Sequence, residues 1–423
     1  MTARPLFLYT FLIAVLVTGC RPDEVKNPAF SARFIKLFGG PAGQRAMECR
    51  QLADGGYALI GTIEAGIDRP QQALLIVTSP EGNERWSRTI GEGALTRGMS
   101  MELEANGDIL IACQQTKLVG NRNQTSLLMQ VYSVDGVLLS SRDVRPAGSE
   151  LNYAVQRVRR APDGGLCFAG TTNDSTGSKL DNSTIRDTAE FLFFKTTAQG
   201  VVTHTFARGY TGVDIAMTAN QTTEGIILMA GSSRFKLVSN QFTEDMLFLR
   251  GELSFDGRMD HNAALNNNSI PVNPDTQIVI NDAVDMSVRS LSENMLAGNA
   301  SGGRIYLSRI NAAGITFNTA FQILPIPGTC RVRSIMPTPD GGYILAGSGV
   351  NTGQGNGGDN MLLIKTDAQG SLVWFRAFGG DRDDEGNMAI PTSDGGYLLA
   401  GTLGFEGIPM MCLIKTDPNG FID

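Results

Sequence analysis

The densest group of chemically capable side chains in this sequence is the run Asp381-Arg382-Asp383-Asp384-Glu385, followed by Asn387 and preceded across a glycine-rich stretch by Asn356, Asp359 and Asn360. Carboxylates and amide oxygens at this density can hold a hard cation or meet a polar partner. The D-x-[DN]-x-[DN]-G-x5-E register of a calcium loop is absent, however, so the run reads first as a solvated acidic turn. The two histidines, His204 and His261, have neither an H-x-x-x-H spacing nor a cysteine pair beside them, which excludes a histidine-rich metal centre. No G-x-S-x-G elbow and no G-x-x-x-x-G-K-[ST] loop occurs. The paired carboxylates of a glycosidase are defined by separation in space, which sequence does not fix. The two tryptophans, Trp86 and Trp374, lie in segments that read as scaffold, so an aromatic sugar platform would use Phe or Tyr. No cofactor is expected beyond an oxygen-ligated cation such as calcium, and no protein-bound metal is assigned.

Positioning these residues is the task of a repeat. The octapeptides DGGYILAG (340–347) and DGGYLLAG (394–401) are near copies, and cousins start at Asp54, Asn106, Asp163 and Glu224, with a degenerate one in SENMLAG (292–298). A second column of apolar runs ends in a glycine turn at Gly82, Gly136, Gly200, Gly257, Gly314, Gly370 and Gly420. Six steps from the first to the last give a period of about 56, in the range of propellers and solenoids. Runs of β-branched and aromatic residues between Asp-Gly signals are strands joined by hairpins, and no window keeps a helical period. A third column, LVWFRAFGG (372–380), returns in ERWSRTIGE (84–92), VTHTFARGY (202–210) and FIKLFGG (34–40). The N-terminal copy supplies the strand that the last unit lacks. The expectation is an all-β, seven-bladed propeller of four-stranded blades closed by the N-terminal strand, with six or eight blades as alternatives.

Ahead of that ring, residues 1–19 have a basic lead, an apolar run and a small-residue exit, the layout of a secretory signal. Val17-Thr18-Gly19-Cys20 resembles the lipobox of bacterial lipoproteins, which implies lipid on Cys20 as the mature N-terminus and residues 20–32 as a flexible tether to a domain spanning 33–423. Asp23 and Glu24 resemble the acidic export tag of Bacteroidota surface lipoproteins. The repeat itself, in FGG…DEGNMAIPTSDGGYLLAGT…MCLIKTDPNGFID, is similar to that of secreted and lipid-anchored β-propellers, many from the Bacteroidota. That resemblance implies a propeller in the cell envelope, at the outer membrane or cell surface, and no particular activity.

Composition narrows the partners. With 423 residues, 42% hydrophobic, 18% charged and a net charge of -7, the chain is a folded globule without the clustered cations that nucleic-acid phosphates require. Five cysteines besides Cys20, at irregular spacing, do not form a disulfide framework. Asp caps the a-to-b turn in the repeated phrase, so the phrase is scaffold and recognition belongs to the variable b-to-c and d-to-a loops of the opposite face. Asp381, Arg382, Asp383, Asp384, Glu385, Asn387, Asn356, Asp359 and Asn360 form the candidate binding face. The reading is a noncatalytic binding or scaffold module for a protein or glycan, attached to the membrane only by its lipid. A propeller hydrolase acting on extracellular glycans is the alternative, and a quinone-cofactor dehydrogenase is disfavoured by the missing Trp-rich docking motifs.

Overall fold

The structure, a computed structural model, describes residues 32–423 apart from 67–69, 92, 120–121, 146–152, 173–188, 210–212, 237–241, 254–258, 266–269, 274–275, 279, 281, 291–292 and 312–315. Cys20, the signal segment and most of the tether lie outside these residues. So does most of the long connection expected between Gly170 and Phe191.

The strands form seven four-stranded antiparallel sheets and one two-stranded hairpin. Each large sheet is a blade, and consecutive blades I to VII start from inner strands a at Gln44–Gln51, Leu95–Leu103, Tyr153–Arg160, Val213–Gln221, Asp285–Val288, Thr329–Pro337 and Glu385–Pro391. In blades I to VI, strands b, c and d follow in sequence order. Blade VII takes its outer strand from the other end of the chain: Phe34–Phe38 pairs with Ile408–Thr416, with Phe34 opposite Lys415 and Phe38 opposite Met411. The ring therefore closes as the sequence predicts, and the sheet edge of the last blade is covered.

Strands b and c are almost wholly buried, as in Tyr57–Ile63 and Asn360–Thr366, because each blade is covered on both faces by its neighbours. Blades VII and I share one apolar layer in which Tyr57, Leu59 and Ile76 pack on Met388, Leu398, Met411 and Leu413. Each such side chain contributes about 1.5–3 kcal/mol on burial. All five described cysteines are buried and unpaired, and burial pushes the thiols of Cys49, Cys113, Cys167 and Cys412 up to about 12 and that of Cys330 to about 11.

The duplicated phrase is a latch. Asp163, Asp340 and Asp394 each accept the backbone N–H two residues on, at 2.9–3.1 Å, and each carboxylate pairs at 2.8 Å with a lysine of strand c, respectively Lys195, Lys365 and Lys415. In blade I the same carboxylate, Asp54, meets Arg85 of strand d instead. The aspartate thus ties the a-to-b turn to the body of its own blade, and the glycine after it takes φ near 85° because a type of turn this tight demands it. Burial alone would raise the Asp340 carboxyl, but the Lys365 ammonium, Thr338 and Gly342 hold it down to about 2.

One segment expected as a loop is largely strand, and a hairpin of the same kind occurs in blade II. The b-to-c connection of blade IV, expected between Gly231 and Met246, continues as paired strand to Lys236 and resumes at Phe242, and in blade II the hairpin runs from Ile109–Val119 into Arg122–Tyr132. Polar sequence hid these strands, since they project beyond the core where no apolar alternation is required. The hairpin Ile270–Asn273/Thr276–Ile278 lies in the connection from blade IV to blade V, where the repeat is weakest.

Candidate functional site: the channel and the loop face

Six of the seven inner strands carry a β-bulge at the same level. The ladder skips Met47, Met99, Gln156, Met217, Arg333 and Asn387. A bulged residue is released from pairing and re-aimed. Here those six side chains, with Val284 of blade V, line a cavity of about 80 Å³ on the ring axis. Every blade contributes to its lining, blades I and III adding Glu48 and Arg157 as well.

Beneath this ring the axis is filled by an ionic network drawn from blades I, II, III and V. Glu48 accepts from Arg159 at 3.1 Å, Arg50 at 3.4 Å, the Ser100 hydroxyl at 2.7 Å and the Met101 N–H at 3.1 Å. Arg50 also reaches Glu102 at 3.1 Å. Asp285, fully buried, pairs with Arg157 and with Arg159 at 3.4 Å, and accepts the Ile335 N–H at 3.1 Å. Three guanidiniums face three carboxylates. Burial taken alone would raise the Glu48 carboxyl; Arg159, Arg50, Arg157 and Ser100 more than offset it and hold the group down to about 2. Burial lowers Arg157, only partly countered by Asp285 and Glu48.

A glycosidase requires one carboxyl held protonated near neutral pH. Glu48 is held the other way. The network pairs its charges across four blades, which is what a plug between blades needs. Among the described residues no three His, Cys, Asp or Glu side chains gather as metal ligands. Of the two histidines, His204 lies on strand d of blade III, with Nδ1 3.0 Å from the Thr203 hydroxyl, and His261 lies on strand d of blade IV.

On the opposite level, the b-to-c loop of blade VI and the loop after its strand d come together as one surface. Asp359 N–H donates to the Asp383 carboxylate at 3.0 Å, Asp384 N–H donates to the Asp359 carbonyl at 2.6 Å, and Asp359 pairs with Arg331. Gly357 permits this approach: its φ is 69°, and a Cβ there would lie 2.4 Å from the Asp381 backbone. The nine predicted residues then divide by role. Asp381, Arg382, Asp383 and Asn356 are exposed. Asp384 is fully buried and holds the Gly380 and Gly404 N–H groups, both at 2.9 Å, while buried Asn360 ties Asn356 N–H and Gly358 carbonyl within its own loop. Burial, with Asp383 and Asp381 nearby, raises the Asp384 carboxyl against the pull of those two N–H groups. Glu385 pairs with Arg45 of blade I at 3.2 Å, and Arg45 also meets Glu64 at 2.7 Å. Asn387 belongs to the channel ring and donates to the Ala46 carbonyl at 2.9 Å.

No protein-family model matches the chain, and no curated protein matches it in sequence. Among solved structures it is similar to a protein of unknown function from Dyadobacter fermentans (13% identity, 90% of this chain and 97% of the other, TM-score 0.45) and to one from Bacteroides caccae (13%, 80% and 94%, TM-score 0.41). It is likewise similar to an α-L-arabinanase of Penicillium chrysogenum (12%, 78% and 94%, TM-score 0.45). The functional reading accordingly rests on this chain's own residues.

Sequence reasoning did not find the partners that complete the loop surface. The Gly404 N–H bond to Asp384 brings in the hairpin Phe405–Ile408, whose Phe405 is 50% exposed and Ile408 39% exposed. Glu406 and Gly407, both at positive φ, make this a tight hairpin tip, and nothing local in the sequence joins it to residues twenty positions earlier.

Proposed function

We propose that this protein is a noncatalytic, lipid-anchored binding or scaffold module of the cell envelope, and that it captures a protein or glycan partner on the loop face around Asp359, Asp381, Arg382 and Asp383. The observation that carries the reading is the coupling of the exposed Asp381–Asp383 loop to an exposed apolar tip, Phe405 and Ile408, by N–H bonds from Asp359 to the Asp383 carboxylate and from Gly404 to the Asp384 carboxylate. Mixed polar and aromatic surface on a rigid base is what recognition uses. The ionised channel network supports the noncatalytic side of the reading.

The direction in which the chain joins the ring supports the anchored side. Arg33 donates to the Asp423 carbonyl and faces Asp417, so the tether meets the ring on the tight-turn face. An anchor at Cys20 then leaves the loop face turned away from the bilayer.

The test pairs anchoring with capture. Cys20→Ser should leave the protein soluble or unprocessed, and Asp381→Ala with Asp383→Ala should lose partners recovered from native envelopes while the melting temperature holds. Recovery of unchanged lipid-labelled Cys20→Ser protein, or undiminished capture by the loop variant, would refute the reading.

A further inference from the structure

The tight-turn face is not uniform, and the difference between two of its inter-blade grooves has chemical content. The groove between blades V and VI, of about 300 Å³, is lined by Arg289, Glu293, Asn294 and Arg309 of blade V and by Tyr343 and Ala368 of blade VI. The groove between blades VI and VII, of about 440 Å³, has Thr338, Gly342 and Lys365 of blade VI facing Tyr397 and Pro418 of blade VII. The strand registers make these the same positions one blade on: Asp285 and Ser334 each face the Ala of their blade's Leu-Ala-Gly, so Arg289 corresponds to Thr338. Met295 pairs with Arg309 as Ile344 pairs with Lys365, which matches the far wall.

In the first groove Arg289 is the occupant. Its guanidinium carbon lies 4.8 Å from the centre of the Tyr343 ring, and its two terminal nitrogens donate to the Gly341 carbonyl at 2.9 Å and the Gly342 carbonyl at 3.0 Å. The corresponding acceptors one blade on are the carbonyls of Gly395 and Gly396, below Tyr397. Threonine at 338 brings no cation to those carbonyls, its hydroxyl being turned to Asp340, and Tyr397, 6% exposed, is covered by Trp374 instead. The open groove adds Trp374, whose ring centre is 5.6 Å from that of Tyr397, and the carboxylate of Asp367. Asp340 and Lys365 cancel as an ion pair, so Asp367 gives the lining one net negative charge. Val373 at the rim is 58% exposed.

We propose that the groove between blades VI and VII binds an arginine side chain of a partner polypeptide, whose guanidinium meets the Trp374 indole and the Gly395 and Gly396 carbonyls, the counterparts of those that Arg289 holds one blade back. A planar guanidinium satisfies two neighbouring carbonyls and an aromatic face at once, which an ammonium does not. This site is separate from the loop face of the preceding reading, and each stands or falls alone.

The experiment uses Trp374 as reporter, in full-length Cys20→Ser protein with Trp86→Phe, titrated with acetyl-Ala-Arg-Ala-amide and with its lysine and citrulline counterparts. Saturable change in Trp374 emission is expected for the arginine peptide, at least about tenfold weaker for lysine, and absent for citrulline. Free arginine should compete less well than the peptide; equal competition would mean a small-molecule guanidinium site and would overturn the polypeptide assignment. Thr338→Arg, which fills the groove as blade V does, should abolish the response. Arg289→Thr, which opens the neighbouring groove, should raise the calorimetric stoichiometry from one to two. A citrulline peptide that binds as well as arginine, no saturable signal, or a Thr338→Arg protein that melts like its parent and still responds would overturn the proposal.

Discussion

Replacing Glu48 by glutamine keeps the shape of the channel plug and removes one of its three negative charges. In the folded ring the Glu48 carboxyl is held down to about 2, against an ordinary value of 4.5, by Arg159, Arg50, Arg157 and Ser100 acting against burial. A difference of roughly 2.5 pH units corresponds to about 3 kcal/mol of folding free energy at neutral pH. That figure falls at the lower end of the ~3–5 kcal/mol expected when one partner of a buried ion pair is removed, as it should, because Arg50 keeps Glu102 and Arg159 keeps Asp285. With an unfolding entropy of about 2.1 cal/mol/K per residue over roughly 390 residues, the melting temperature should drop by about 4 °C. The sign with pH is fixed by the depressed folded value: the contribution is complete above the unfolded value of about 4.5 and is lost as pH falls through about 2. Scanning calorimetry of Glu48→Gln and wild type should therefore give a gap of about 4 °C at pH 7 that shrinks to less than half, about 1.4 kcal/mol, at pH 3. Carboxylates remote from the plug titrate alike in both proteins and cancel in the difference. A gap that is the same at the two pH values, or a glutamine variant as stable as wild type, would refute the account of the plug.

Three further outcomes follow from the same contacts. Deleting residues 20–40 uncovers the Ile408–Thr416 edge of blade VII and should cause aggregation and a broadened transition in light scattering and calorimetry; a monomeric truncation with an unchanged melt would show that the strand does not close the ring. The five buried thiols should be silent to an aromatic disulfide reagent in native Cys20→Ser protein at pH 8 and all titrate once guanidinium unfolds it, a reactive native thiol being the contrary result. Asp384→Ala, which orphans the Gly380 and Gly404 N–H groups, should lower stability by about 1–3 kcal/mol, whereas Asp381→Ala should stay within about 0.5 kcal/mol, as read by denaturant melts.

Much of the architecture was legible because it is written locally and repeated. The Asp-Gly-Gly turn, the apolar run after it and the closing glycine recur within each unit, so blade count and the exchange of Phe34–Phe38 into blade VII could be read along the chain. The lysine that completes the latch, as in Lys415 with Asp394, lies about twenty residues on and was visible only as part of an apolar strand. The channel network was not legible at all. Glu48, Arg50, Glu102, Arg157, Arg159 and Asp285 come from four blades, and each alone looks like an ordinary charged residue on an inner strand. Within the candidate face, composition identified the acidic loop, but it could not separate Asp383, which faces solvent, from Asp384, which is enclosed beneath it, because that difference is set by the Phe405–Ile408 hairpin. The groove difference between Arg289 and Thr338 was hidden for another reason: the fifth repeat is degenerate, so its register could not be aligned.

The exchange of the first strand into the last blade also sets a timetable. Phe34 faces Lys415, some 380 residues apart, so synthesis delivers one half of this pair first and the other half last. Blades I to VI can each complete their own four strands as they emerge, but Phe34–Phe38 must wait without its partner until Ile408–Thr416 has been made. Its faces carry Ile35 and Leu37 on one side and Phe34 and Phe38, flanking Lys36, on the other throughout that interval. The nascent chain thus carries an unpaired, aggregation-prone strand until Ile408–Thr416 has been made, and that pairing is the event that retires it.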